Sequence, residues 1–294
     1  MNDLNATLLR DFARSLRARN LSPRTIQSYQ EAAGQLAAHL DRPLPDATRG
    51  DIEDYLSAVL ARHSAPTAAN RYRSLQQLFK WLGTEDEIDR DPMAGMRPPA
   101  VQEQPVPILS DDQVTRLLKV CEGREFEDRR DTAIVRLMLE PGGLRLSEVT
   151  NLAVADLDLD VDVVRVLGKG RRVRSVPFGA KTGQALSRYV RARARHPLAL
   201  NPALWLGGRG MALTTSGVTQ LLRRRAAAAG IEHLHPHQLR HTAAHLWLAS
   251  GGTEGDAMRL FGWRSRQMLG RYGSSAADQR AHDAARAAAL GDRW

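Results

Sequence analysis

Residues 98–109, PPAVQEQPVPIL, decide the gross organisation of the chain. Each of the four prolines in this stretch lacks a backbone N–H and fixes its own φ, so the segment cannot continue a helix or join a sheet interior. It shows no helical period either, and is expected to be an extended linker. The 294 residues then divide into a block of 1–97 and a block of 110–294, each of ordinary domain size.

Block 1–97 carries only helical signals. Leu4, Leu8, Leu9, Phe12 and Leu16 recur at three- and four-residue spacing, the apolar stripe of an amphipathic helix. A second helix starts at Ser22-Pro23-Arg24-Thr25, a capping serine followed by proline at the first helical position, and runs to about Leu40. Two more are expected over 49–62 and 65–82, the latter with Tyr72, Leu75, Leu78, Phe79 and Leu82 on one face.

Block 110–294 opens with a helix start at Ser110-Asp111-Asp112. Helices near 110–121 and 128–140 lead to a turn at Pro141-Gly142-Gly143, and a short helix near 146–152 follows. Then comes the only strong strand signal in the chain. Val161, Val163, Val164 and Val166 approach Gly168-Lys169-Gly170, and Val173, Val176 and Phe178 leave it, a β-hairpin with a basic tip. Helical patterns resume near 180–195, 215–229, 236–250, 254–261 and 276–290. The expected fold class is mainly α with a small β-hairpin or sheet in the C-terminal block (α+β).

The charge is unevenly spread. Residues 1–100 hold 13 Lys+Arg and 13 Asp+Glu, whereas residues 101–294 hold 29 and 20, so the net +9 lies entirely in the second stretch. An excess of cations points to a polyanionic partner, because Lys and Arg beside phosphates release condensed counterions. Only four of the 42 basic residues are Lys; a GC-rich genome would explain that preference but not the imbalance. Nothing approaches the ~18 continuous apolar residues of a membrane span, and no secretory signal is present. Cys121 is the single cysteine, which fits a reducing cytoplasm.

Read one at a time, the polar candidates are ambiguous. Arg145 in GGLRLSEV pairs naturally with Glu148 three residues on, a plain surface ion pair. Lys169, a scarce residue type here, stands between two glycines on the hairpin tip. The segment HLHPHQLRHTAAHLWL places His237, His241 and His245 at four-residue spacing, which two-histidine zinc sites use, yet it has no HExxH glutamate and no cysteine nearby. His237 and Arg240, three apart, also make a phosphate-binding pair. Trp263 and Tyr272 lie nine apart near the C-terminus, where a tyrosine is more often a packing residue.

Taken in order, these pieces resemble the tyrosine recombinase (phage integrase) family: GLRLSEV, the hairpin GKGRRVRSVP, the HxxR motif HQLR, then FGW and, nine residues beyond Trp263, Tyr272. NLSPRTIQSYQ, PTAANRYRSLQQLFKWL and DPMAGMRPP resemble the same family's helical, SAM-like core-binding domain. The resemblance covers nearly the whole chain. It implies a core-binding domain at 1–97, a linker at 98–109 and a catalytic domain with a helical tail at 110–294.

The resemblance also implies a chemistry. Tyr272 attacks a DNA phosphate to give a 3′-phosphotyrosyl link and a free 5′-hydroxyl. Arg145 and Arg240 neutralise the non-bridging oxygens, His237 assists the phenol, and Lys169 protonates the leaving oxygen. Trp263 packs on the phosphate site, and Glu148 steadies Arg145. The bond energy is kept in the phosphotyrosine, so neither metal nor ATP is called for. Arg24, Arg71, Arg73 and Lys80 with Arg171, Arg172 and Arg174 are expected to face double-stranded DNA. The two blocks are expected to clamp the duplex, and a tail striped with Ala277, Ala281, Ala284 and Ala288 to dock on a neighbour in a homotetramer spanning two DNA sites. An accessory or partner recombinase and a cytoplasmic, nucleoid-associated setting go with this reading.

Two positions depart from the pattern that the family commonly shows. Gly142-Gly143 stands where many members have Thr-Gly, which is expected to alter only the turn; Trp263 stands where many have His. The chain begins directly with the core-binding block, so a compact Xer-like or simple mobile-element enzyme is expected. Alternatives remain: a DNA-relaxing topoisomerase of the IB type, or a non-catalytic DNA-binding relative.

Overall fold

The computed structural model describes residues 3–102, 107–168, 172–207, 210–263, 265, 268–269, 281–282 and 285–293, and of the last two only the backbone. The chain forms two compact units, residues 1–103 and 104–294. Among the described residues no helix is long and apolar enough to cross a membrane.

Among the described residues the first unit has four α-helices, α1 (Asp3–Ala18), α2 (Pro23–Leu40), α3 (Arg49–Arg62) and α4 (Ala65–Thr84), with a 3-10 turn at Leu44–Asp46. Their starts follow local chemistry. Ser22 Oγ accepts the Thr25 amide at 3.2 Å, with Pro23 at the first helical position of α2. Thr48 and Asp51 cap α3 reciprocally. Phe12, Leu16, Leu36, Ile52, Leu75 and Phe79 fill the interior between the helices, all wholly buried. Burying such side chains stabilises the unit by roughly 1.5–3 kcal/mol each. Asn5 ties α1 to the turn after α2 by donating to the Arg42 carbonyl (3.0 Å) and accepting the Leu44 amide (2.8 Å).

The second unit is mainly α with a small antiparallel sheet. Its elements are α5 (Asp111–Cys121), α6 (Phe126–Leu139), α7 (Leu146–Thr150), β1 (Leu157–Asp158), β2 (Val163–Leu167), β3 (Val173–Pro177), α8 (Ala180–Arg193), α9 (Thr215–Ala228), α10 (Pro236–Ala249) and α11 (Glu254–Phe261). Strand order is β1-β2-β3, with Val164 opposite Val176 and Val166 opposite Arg174. β1 escapes the sequence reading because two residues carry no alternation. Val161 is 64% exposed and lies ahead of β2 rather than in it.

Helix α10 packs on α6 and α11. Leu239, Arg240, Thr242, Ala243 and Ala244 are buried along it, and Thr242 Oγ1 accepts the Leu109 amide at 2.9 Å, fastening the entry to α5. Burial also pushes the Cys121 thiol up to about 12, so it stays a protonated core group. Of the helix expected near 276–290, residues 276–280 and 283–284 lie outside the described residues, and 281–282 and 285–288 are helical.

Candidate active site

The geometry gathers on the turn between α6 and α7. Gly142 and Gly143 have φ of 118° and 33°, a backbone that favours glycine. A Cβ at 142 would lie 2.7 Å from Val176 Cγ1, and one at 143 would lie 2.8 Å from the Phe261 ring and 3.0 Å from Arg240 Cγ. Both glycines are therefore needed for close approach. The departure from Thr-Gly falls at Gly142, beside Val176 and the Leu260 carbonyl; Gly143, common to both patterns, lets the chain sit directly against α10 and α11.

That approach brings main-chain oxygens to Arg240. The side chain is 1% exposed; its Nη1 donates to the Gly143 carbonyl and, at 3.3 Å, to the Gly142 carbonyl, while Nη2 donates to the Phe261 carbonyl at 2.6 Å. The guanidinium carbon lies 5.4 Å from the centroid of Phe261 and 6.0 Å from that of Trp263, and the two rings stack at 4.8 Å. Trp263 is 5% exposed. Carbonyl oxygens and aromatic faces around a buried guanidinium favour its charged form.

Arg145 is two residues beyond the turn, at the N-cap of α7. Its amide donates to Glu148 Oε2 and its Nη1 to Oε1, both at 2.8 Å. The side chain is 30% exposed, and its Nε and Nη2 have no partner among the described residues. Glu148 is almost wholly buried and also receives Arg174, whose Nη1 and Nη2 reach Oε1 and Oε2 at 2.8 and 2.9 Å. Burial alone would raise the Glu148 carboxyl, but the hydrogen bonds and charge of Arg174, then those of Arg145, outweigh it and hold the group at about 2.

His237, in the first turn of α10, is exposed, while Arg240, three residues on, is buried. His241 is buried and His245 half-buried. Among the described residues no group of three His, Cys, Asp or Glu is placed to hold a metal. Tyr272, Lys169 and Arg171 lie outside the described residues.

The expected DNA-facing residues separate. Arg24 and Arg71 line one groove between α2 and α4, whereas Arg73 and Lys80 are exposed on the opposite flank of α4. Arg172 is exposed at the end of the hairpin. Arg174 is different: its guanidinium is spent on Glu148 and on the Leu260 carbonyl (Nε, 2.9 Å), and only 13% of the side chain is exposed. It shares the inward face of β3 with Val176, which sets it against α7 and α11 instead of the solvent.

Sequence reasoning missed this inward turn, and the missed signal was the period of two itself. Arg174, Val176 and Phe178 share one parity, and the latter two are buried. It also missed Phe261, the ring that lies nearest Arg240, because an aromatic at the end of an amphipathic helix reads as ordinary core.

Comparison with known proteins supplies the context. The model of the phage integrase family matches residues 107–279, and that of the phage integrase N-terminal SAM-like domain matches residues 8–89. The chain is 33% identical over 234 residues to a tyrosine recombinase XerC of Azotobacter vinelandii, covering 78% of each protein. It is 29% identical over 259 residues to XerC of Staphylococcus aureus, covering 86% of this chain and 87% of that one. Among solved structures, XerH recombinase bound to its difH substrate superposes with a TM-score of 0.74 at 20% identity, over 91% of this chain and 81% of that one.

Proposed function

This chain belongs to the phage integrase family and is a site-specific tyrosine recombinase, and on that premise we propose that Tyr272, served by Arg145, Lys169, His237, Arg240 and Trp263, breaks and rejoins DNA strands. The Tyr272 phenol oxygen bonds to phosphorus as the bond from phosphorus to the 5′-oxygen breaks. A 3′-phosphotyrosyl link and a 5′-hydroxyl result. The phenol proton passes to the side of His237, and Lys169 returns one to the leaving oxygen. The reverse attack by a 5′-hydroxyl of another strand restores the phosphodiester, so the sequence of steps balances without metal or ATP.

The observation that carries the reading is the shared turn. Arg240 is bonded to the carbonyls of Gly142 and Gly143, and Arg145 follows two residues later with half of its fork unengaged among the described residues. Two cations tied to one turn suit the charge that grows on a five-coordinate phosphorus. The other tyrosines are less suited to attack. Tyr72 and Tyr189 donate to the Met96 and Leu204 carbonyls at 2.6 and 2.9 Å. Burial raises Tyr55 and Tyr72, and pushes Tyr189 up to about 12. Tyr29 packs against the core of the first unit.

The substrate in this reading is double-stranded DNA. In the first unit one flank of α4 faces it, either Arg24 with Arg71 or Arg73 with Lys80, and in the hairpin Arg171 and Arg172 do. Four chains assemble on two DNA sites, in the cytoplasm, with the C-terminal tail docking on a neighbour. A lambda integrase structure is of a tetramer bound to a Holliday junction, which supports that assembly by analogy of fold.

The test is covalent trapping on a nicked duplex carrying the site that the chain selects from random-sequence DNA. An adduct stable to denaturant, formed in EDTA and absent from Tyr272→Phe, is expected. An adduct that persists in Tyr272→Phe would remove the assignment. Exchange between two such sites, as opposed to simple relaxation of a supercoiled plasmid, separates recombination from topoisomerase action.

A further inference from the structure

Arg174 is fixed from several sides. Its backbone is paired to Val166 in the hairpin, and its side chain leaves β3 on the buried face beside Val176. The two terminal nitrogens take one Glu148 oxygen each, at 2.8 and 2.9 Å. Nε donates to the Leu260 carbonyl in the last turn of α11 at 2.9 Å, and Nη2 comes within 3.5 Å of the Gly142 carbonyl. The same two Glu148 oxygens serve Arg145, Oε1 taking its Nη1 and Oε2 its amide, both at 2.8 Å. One carboxylate is thus held between two arginines. Arg145, 30% exposed, keeps an unengaged edge among the described residues, while Arg174, 13% exposed, is consumed by the protein.

We propose that Arg174 is a positioning residue of the strand-transfer centre: it clamps both oxygens of Glu148, and so fixes the place and direction of the Arg145 charge, while its Nε ties that pair to the end of α11 that leads to Trp263. The proposal rests on the role assigned to Arg145 above. A carboxylate gripped by a rigid fork is a stationary anchor; gripped by Arg145 alone, it would move with the side chain it should hold. Lysine offers one point charge and cannot span two oxygens and a carbonyl, so it does not substitute. A residue that contacted DNA instead would act through affinity and through the salt dependence of binding.

The test uses the full chain and the nicked selected duplex, following single-turnover adduct formation beside duplex affinity at several salt concentrations. Arg174→Ala and Arg174→Lys are expected to slow adduct formation by roughly tenfold to a hundredfold, as misplacement of a charge by an ångström does. Affinity is expected to stay within about threefold of the parent, with an unchanged salt slope. Adding Glu148→Gln to Arg174→Ala is expected to cost little more than either change alone, because both break one clamp. A parental rate in Arg174→Ala overturns the proposal, as do additive losses, or a rate loss matched by lost affinity and a salt slope shallower by about one. Where the alanine variant does not fold, a folded Arg174→Lys at the parental rate overturns it equally. No adduct from the unmodified chain sinks the strand-transfer reading and this proposal with it; a parental adduct that Arg174 substitutions leave untouched sinks the positioning role alone.

Discussion

In the first unit the buried polar side chains are Asn5 and Ser74, whereas the second buries Arg130, Arg193 and Arg240 together with Asp131 and Glu148 among the described residues. The first interior is leucine, alanine and ring edges, whose attraction has no direction and tolerates repacking. The second holds charge in fixed geometry. Arg193 donates to the carbonyls of Ala199, Asn201, Ala203 and Leu204, and Arg240 to those of Gly142, Gly143 and Phe261. A guanidinium so placed cannot shift without stranding donors away from water, so the surrounding loops are held in register with it. The contrast teaches that part of the second unit's basic excess is architectural. Net charge is a weaker count of phosphate contacts than the sequence implies.

The comparison can be broken most sharply at Asp131. This wholly buried carboxylate accepts from Arg130 (2.8 Å), Arg225 (2.9 Å) and Arg224 (3.3 Å). Asp131→Ala is expected to lower the unfolding free energy of the second unit by about 3–5 kcal/mol, as removing one member of a buried ion network does. Urea unfolding followed by the Trp205 signal checks it. A loss below about 1 kcal/mol would mean the buried charges are not what holds this unit.

Acid should separate the units next. The Glu148 carboxyl sits at about 2 against an ordinary 4.5, a depressed value, so its contribution is complete above the ordinary value and disappears as pH falls toward 2. The shift corresponds to about 3 kcal/mol, of which somewhat more than half should be gone by pH 3. The stability difference between the parent and Glu148→Gln is therefore expected to shrink between pH 7 and pH 3. A difference that stays constant over that range contradicts the clamp.

The smallest effect belongs to the first unit. Asn5→Ala should leave the Arg42 carbonyl and the buried Leu44 amide without their side-chain partner, a loss of about 1–3 kcal/mol read by thermal unfolding. A loss as large as that of Asp131→Ala would erase the distinction between the two interiors.

The helices were legible because their ends are written in single residues. Ser22-Pro23, Ser110 with Gln113, and Pro236 each satisfy or remove an amide that a helix start leaves unpaired, and α2, α5 and α10 begin there. Arg145, Glu148, Arg240 and Trp263 were legible as types in order, but not as a geometry. Nothing in HQLR tells that Arg240 faces inward while His237 stays exposed, since that depends on which carbonyls surround α10. The inward turn of Arg174 was masked by composition: a hairpin tip crowded with arginine reads as solvated throughout, although strand parity distinguishes one position from its neighbours.

The turn at Gly142-Gly143 has an evolutionary consequence. Its two carbonyls act as ligands to arginines, yet no side-chain exchange elsewhere can delete a main-chain oxygen; such exchanges can only make it aim elsewhere. The binding information is stored in how many peptide units separate α6 from α7 and in the two glycines that let them close up, so an insertion, a deletion or a Cβ at 142 or 143 would each disturb it.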